Sequence, residues 1–169
     1  ENALIESDLQ VTTTVSCYGA SDGVATVSSF GGASSVYTYF WSTGQQTSGV
    51  NTDFASGLLH GSYYVTTQDD LGCSIVDSIY ISEPDPLIME ASELDWVDCY
   101  GESNGLAFAV SQGGTAPYTY SSGIGLWPTD TVNTLPGGLD TVVVTDARGC
   151  TASDTVFINE PPLLEVYID

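Results

Sequence analysis

The groups from which chemistry could be built in this 169-residue chain are four cysteines, one histidine, three tryptophans and 22 acidic side chains. The cysteines fall at Cys17, Cys73, Cys99 and Cys150. No two stand in a Cys-x-x-Cys spacing, which argues for disulfides over a zinc site. They lie near the start and near the end of two similar stretches, 56 and 51 residues apart, so the expected pairs are Cys17 with Cys73 and Cys99 with Cys150. Such bonds persist in an oxidising compartment, and each would contribute roughly 4 kcal/mol on the chain-entropy account.

Carboxylates come next. If Cys17 meets Cys73, then Asp22 approaches Asp69 and Asp70, and the matching set is Glu102, Asn104 and Asp146. Three oxygen-bearing side chains around one loop are the beginning of a calcium site, with backbone carbonyls and water to complete it. Asp-Gly and Asn-Gly are also common turn dipeptides, needed for backbone conformation alone, and the turn reading is the favoured one. A second acidic group, Glu83, Asp85, Glu93, Asp95 and Asp98, has no basic residue near it in sequence. It reads first as solvated charge and second as a cation site.

Catalysis finds little support. His60 lies in a loop-like stretch, Leu58-Leu59-His60-Gly61, and its counterpart in the second stretch is Gly137. It is expected to be an incidental surface residue. No Gly-x-Ser-x-Gly elbow, His-Glu-x-x-His helix or phosphate-cradling loop occurs in a plausible setting. No carboxylate pair is marked out by an apolar setting for glycoside hydrolysis. The chain is expected not to be an enzyme.

One Lys or Arg, Arg148, stands against the 22 acids, giving a net charge of −21. Binding to nucleic acid or to an anionic membrane draws its affinity from basic side chains, so both are excluded as partners. No apolar stretch is long enough for a spanning helix. The first twenty residues lack the pattern of a signal peptide, so an export signal is expected outside this sequence.

The elements that must position these groups follow from an internal repeat. Ser16-Cys17-Tyr18-Gly19-Ala20-Ser21-Asp22-Gly23 returns 82 residues later as Asp98-Cys99-Tyr100-Gly101-Glu102-Ser103-Asn104-Gly105. Gly31-Gly32 returns as Gly113-Gly114, and Tyr37-Thr38-Tyr39 as Tyr118-Thr119-Tyr120. Asp69-Asp70-Leu71-Gly72-Cys73 returns as Asp146-Ala147-Arg148-Gly149-Cys150, and Ile81-Ser82-Glu83-Pro84 as Ile158-Asn159-Glu160-Pro161. This predicts one domain over residues 1–84, a second over 85–161, and the start of a third repeat or a C-terminal extension over 162–169. The chain then reads as an excerpt from a longer array.

Within a copy the period is two, and β-favouring residues dominate while good helix formers are scarce. Strands are expected near 3–15, 23–30, 36–42, 47–54, 62–68 and 74–82, and in the second copy near 87–97, 105–111, 117–122, 129–135, 139–145 and 151–159. The fold class expected is all-β: two tandem immunoglobulin-like antiparallel β-sandwich domains, each of six to seven strands with one disulfide. Six strands place four between the Cys17 turn and the Cys73 turn, an even number that puts both at one end. A seven-strand pattern would separate them. Tyr37, Tyr39 and Trp41 alternate onto one face, the core face. Ser122 replaces the tryptophan in the second copy, and Trp127 is expected to fill that volume.

These motifs, Cys-Tyr-Gly-x-Ser-Asp/Asn-Gly, Gly-Gly followed by Tyr-Thr-Tyr, Asp-x-x-Gly-Cys and a closing Glu-Pro, resemble the SprB repeat of giant cell-surface adhesins of gliding Bacteroidetes. Leu71 and Arg148 stand where the family has Asn, and Asp140 where it has the tyrosine kept as Tyr63. The resemblance implies an extracellular, surface-exposed repeat exported by the type IX pathway, in an adhesin filament that supports adhesion and gliding motility. Its expected partners are neighbouring repeats of the same chain and surface polysaccharide or glycans. It also makes Asp77-Ser78-Ile79 and the Asp-Thr-Val triplets at Asp130, Asp140 and Asp154 candidate O-glycosylation sites. The alternative is a carbohydrate-binding module, with Trp41, Trp96 or Trp127 stacking on sugar rings. Exposed aromatics in a row on one face would favour it.

Overall fold

The computed structural model describes residues 4–33 and 35–167, and all regular structure among them is β-strand. The chain divides into two compact units, Glu1–Pro84 and Asp85–Asp169.

In the first unit the strands are β1 (Ile5–Thr13), β2 (Gly23–Gly31), β3 (Tyr37–Trp41), β4 (Gln46–Val50), β5 (Thr52–Leu58), β6 (Gly61–Gln68) and β7 (Ser74–Ile81). They form a three-stranded sheet, β1-β2-β5, and a four-stranded sheet, β4-β3-β6-β7, with every pairing antiparallel. Alternation drives this assembly, because successive side chains on a strand point to opposite faces. Ala25 and Val27 on β2, Tyr37, Tyr39 and Trp41 on β3, Ala55 on β5 and Val65 on β6 turn inward and close one core with Val15, Leu58 and Ile81.

The second unit repeats the plan. Its strands are β8 (Ile88–Asp95), β9 (Gly105–Gln112), β10 (Thr119–Ser122), β11 (Gly125–Trp127), β12 (Thr131–Leu135), β13 (Gly138–Thr145) and β14 (Thr151–Ile158). The sheets are β12-β9-β8 and β11-β10-β13-β14. Trp127 does enter the core, from β11, where it pairs with Tyr120 and donates its indole N–H to Asn133 Oδ1 at 2.9 Å. In the first unit Trp41 sits on β3 itself and donates to the buried Asp53 at 2.9 Å. The indole has moved one strand across the sheet while keeping a polar acceptor.

Two expectations need correcting. The single strand expected over 47–54 is two strands in different sheets: the chain leaves β4, crosses at Asn51, whose carbonyl accepts the Ser29 N–H at 3.0 Å, and enters β5. In the second copy the strand left out of the expectation is β11 (Gly125–Trp127), and each copy has seven strands, with five between its two cysteine turns. Five is odd, so the turns lie at opposite ends of the sandwich. We call the end where β1 or β8 begins the entry pole, and the end where β7 or β14 finishes the exit pole.

The within-copy disulfides fail for this reason. Cys17 lies at the exit pole, two residues beyond Val15, whose N–H donates to Ser82 just after β7. Cys73 lies at the entry pole, where β7 begins. The eight residues of β7 span about 25 Å, whereas a disulfide needs Cα atoms within about 7 Å. Cys73 and Cys99 are free and exposed, while Cys17 and Cys150 are disulfide-bonded. The expected pairs Cys17 with Cys73 and Cys99 with Cys150 are not formed.

Candidate functional site

The repeated motifs gather at the two poles. At the exit pole of the first copy the Cys17 carbonyl accepts the Ala20 N–H at 3.0 Å, closing a four-residue turn with Gly19 at φ 73°. A third turn residue at positive φ favours glycine. Asp22 Oδ1 accepts the Ser16 N–H at 2.9 Å, and Glu83 Oε2 accepts the Gly19 N–H at 2.7 Å. The second copy does the same. Cys99 accepts from Glu102 at 3.1 Å, Asn104 Oδ1 from Asp98 at 3.0 Å, and Glu160 Oε2 from Gly101 at 3.2 Å. Asp and Asn are equivalent at the 22/104 position because the backbone asks only for an acceptor oxygen. The Glu of each Glu-Pro motif is the clasp on the Cys-Tyr-Gly turn.

At the entry pole one carboxylate organises each copy. Asp69 Oδ1 accepts the N–H groups of Leu71 (3.0 Å) and Cys73 (2.9 Å), and its Oδ2 that of Ala33 (3.1 Å). Asp146 Oδ1 accepts from Arg148 (2.8 Å) and Cys150 (2.9 Å), and its Oδ2 from Thr115 (2.8 Å). Both side chains are buried. The Ala33 N–H, helped by those of Cys73, Leu71 and Gly72, holds the Asp69 carboxyl below its ordinary range against the upward push of burial. For Asp146 burial pushes upward, and the N–H groups of Thr115, Cys150, Arg148 and Gly149 together outweigh it. The Gly-Gly corner must come close to this carboxylate: a Cβ at Gly32 would lie 3.0 Å from Asp69 Oδ2, and one at Gly114 2.7 Å from Asp146 Oδ2. The first motif tyrosine pins the corner, with Tyr37 donating to the Gly31 carbonyl at 2.8 Å and Tyr118 to that of Gly113 at 2.6 Å.

The calcium set is thus split. Asp22 stands at the exit pole and Asp69 with Asp70 at the entry pole; Glu102 and Asn104 stand at the exit pole of their copy and Asp146 at its entry pole. Asp22, Asn104, Asp69 and Asp146 point their oxygens at backbone N–H donors, which satisfy the same lone pairs a cation would take. Among the described residues no group of three or more His, Cys, Asp or Glu stands where it could hold a metal ion. In the second acidic group, Glu83 clasps Gly19, Glu93 accepts the N–H and Nδ2–H of Asn159, Asp95 accepts the Trp96 N–H, and Asp98 accepts Asn104 Nδ2–H. Asp85 offers its carbonyl to Gly114. His60 lies 2.9 Å from Glu83 Oε1 and so braces the exit-pole clasp.

Trp41 and Trp127 are buried, whereas Trp96 is 65% exposed. The sequence reading missed one surface. On the outer face of β4-β3-β6-β7, Phe40, Tyr64 and Tyr80 are exposed and lie diagonally across neighbouring strands, Phe40 opposite Thr66, Tyr64 opposite Ser78, and Tyr80 opposite Ser62. The signal was the strand parity opposite to the core tyrosines. The second copy places Ser121, Thr141 and Phe157 there. Ser78, Thr141 and Thr155 of the Asp-Ser/Thr triplets are exposed.

The SprB repeat family model matches residues 9–46 and 97–121. No curated protein sequence matches the chain. Among solved structures, the C-terminal 282-residue fragment of intimin, determined in complex with the intimin-binding domain of the translocated intimin receptor, aligns with a TM-score of 0.44 and 12% identity. The alignment covers 92% of this chain and 64% of that one, so this chain spans less than two thirds of the intimin fragment. The two family matches each contain a Cys-Tyr-Gly turn, a Gly-Gly corner and the paired tyrosines described above, so the similarity to the SprB repeat falls in both copies.

Proposed function

We propose that the chain is a structural and adhesive repeat module of a large secreted cell-surface adhesin filament, working by extension and display rather than by catalysis. The observation that carries this reading is where the repeated residues go: the repeated motifs are consumed in building the poles, and the second motif tyrosine of each copy, Tyr39 or Tyr120, in filling the core. The sheet faces are left to vary between copies. A surface of one sign, at −21, suits a segment that always faces water. Export by the type IX route and a part in gliding motility are the finer form of the proposal, with neighbouring repeats as partners. Antibodies against the fragment are expected to label intact source cells, and to lose that labelling when the type IX apparatus is disabled. Labelling only after permeabilisation would overturn the reading.

A carbohydrate-binding module is the second reading, favoured by the Phe40, Tyr64 and Tyr80 face of the first copy. Aromatic rings offer a flat apolar surface with a polar rim, here Thr38, Thr66, Ser62 and Ser78. A glycan array with the two-copy fragment separates the readings. Saturable binding to a defined saccharide, lost in Tyr64→Ala and Tyr80→Ala, would make the module a lectin-like one. No binding keeps the spacer reading.

A further inference from the structure

We propose that the free thiols of Cys73 and Cys99 are the two halves of a pole-to-pole disulfide joining one molecule of this chain to the next. The first support is the topology of a single copy. Seven strands put its cysteines at opposite poles, about 25 Å apart along β7, beyond the reach of a disulfide. An oxidised cysteine of this repeat must find a partner outside its own copy.

The second support is the state of the equivalent residues. Cys17 and Cys99 are the same position in the two copies, as are Cys73 and Cys150. One member of each pair, Cys17 and Cys150, is disulfide-bonded, and the other, Cys99 and Cys73, is free and exposed. Both positions are therefore bond-forming, one of each pole type, and the remaining two form a complementary set: an exit-pole thiol at Cys99 and an entry-pole thiol at Cys73.

Each free thiol also stands on a pole with a hollow in it. Near Cys99 a cleft of about 330 Å³ is lined by Trp96, Val97, Asp98, Asn159, Glu160 and Pro161. On the pole of Cys73 a hollow of about 440 Å³ is lined by Gly31, Gly32, Ala33 and Asn51 among others. Trp96 is the one exposed tryptophan, and a second copy seated on this pole would cover it. The union of unlike poles is heterologous, so it propagates as an open linear chain. The chemistry is a two-electron exchange. A low-molecular-weight disulfide, RSSR, accepts two electrons and two protons from the thiols of Cys73 and Cys99 and leaves as two RSH, while one S–S bond forms between copies. The link to the proposed function is only that such an oxidant belongs to an extracellular compartment; the test is made in solution and is independent of where the protein resides.

The purified chain, denatured without reductant, is expected to show two reactive thiols, mapped to Cys73 and Cys99 by alkylation and digestion with an acid-specific protease. Incubated folded with oxidised glutathione in about 0.15 M salt, so that repulsion between chains of charge −21 is screened, it should give a ladder of disulfide-linked oligomers that collapses with dithiothreitol. The linking peptide should contain Cys73 and Cys99. Cys73→Ser and Cys99→Ser are each expected to stay monomeric alone and to give a disulfide-linked dimer when mixed, and the double variant to remain monomeric. No free thiol, with peptides joining Cys17 to Cys73 and Cys99 to Cys150, would overturn the proposal. So would glutathione adducts without a ladder, or a ladder built only from like poles.

Discussion

Two tyrosines two residues apart on β3 illustrate how differently one side-chain type is used. The Tyr37 hydroxyl donates to the Gly31 carbonyl, whereas the Tyr39 hydroxyl is buried without a partner among the described residues. Removing one half of a hydrogen bond costs about 1 kcal/mol, while removing an unpaired polar atom is near neutral or favourable. Tyr37→Phe is therefore expected to destabilise the first copy by about 1 kcal/mol in urea unfolding, and Tyr39→Phe to leave it unchanged or slightly stabler. The pole carboxylates set the acid response. Asp69, Asp146 and Asp154 all have lowered pKa values through backbone N–H donors. Their contribution is complete above the ordinary carboxyl range of about 4 and is lost as pH falls through the lowered values. Thermal melts should change little between pH 7 and about pH 5 and fall below about pH 4. Asp69→Asn and Asp146→Asn should melt earlier at neutral pH and show a shallower acid limb. The sequence made these residues visible as a repeated set but not as turn acceptors, because a carboxylate that caps N–H groups and one that holds calcium look alike until the donors around it are placed.

Among the elements, most strands and the core face of β3 were readable from alternation, and the role of Trp127 from the serine, Ser122, that replaces the first copy's tryptophan. What hid was the crossing at Asn51. Gly49, at φ 80°, stands two residues before it, but an isolated glycine inside an alternating run reads equally well as a bulge within one strand, and a bulge does lie there opposite Tyr37 and Thr38. Missing one strand reversed the parity, and the reversed parity moved a cysteine and two aspartates to the wrong end of the sandwich. The turn after β13 gives a check at this scale. Arg148 is the chain's single Lys or Arg, and its N–H is held by Asp146 inside a four-residue turn closed by Gly149. Proteases need several residues in an extended state, so cleavage must wait for local opening. Trypsin is expected to leave the native chain intact and to cut after Arg148 once Asp146→Ala loosens the turn, as read by intact mass over time.

For the molecule as a whole, the charge of −21 means that any salt should stabilise by screening. Calcium is expected to raise the melting temperature no more than magnesium at equal ionic strength; a larger, saturable shift would mean that the pole carboxylates give up their N–H donors to a cation. The path of the chain through each copy carries a further consequence. β1 begins at the entry pole and β7 ends at the exit pole, with Ser7 on β1 hydrogen-bonded to Asp77 on β7; in the second copy the β8 N–H of Ala91 meets Asp154 on β14 at 2.9 Å. Tension applied to the two ends of a copy would run parallel to these strands, while the ladder bonds lie across them. Such a pull loads many bonds sideways at once instead of opening them one by one, so stretched single molecules are expected to hold and then yield a whole copy in one abrupt step.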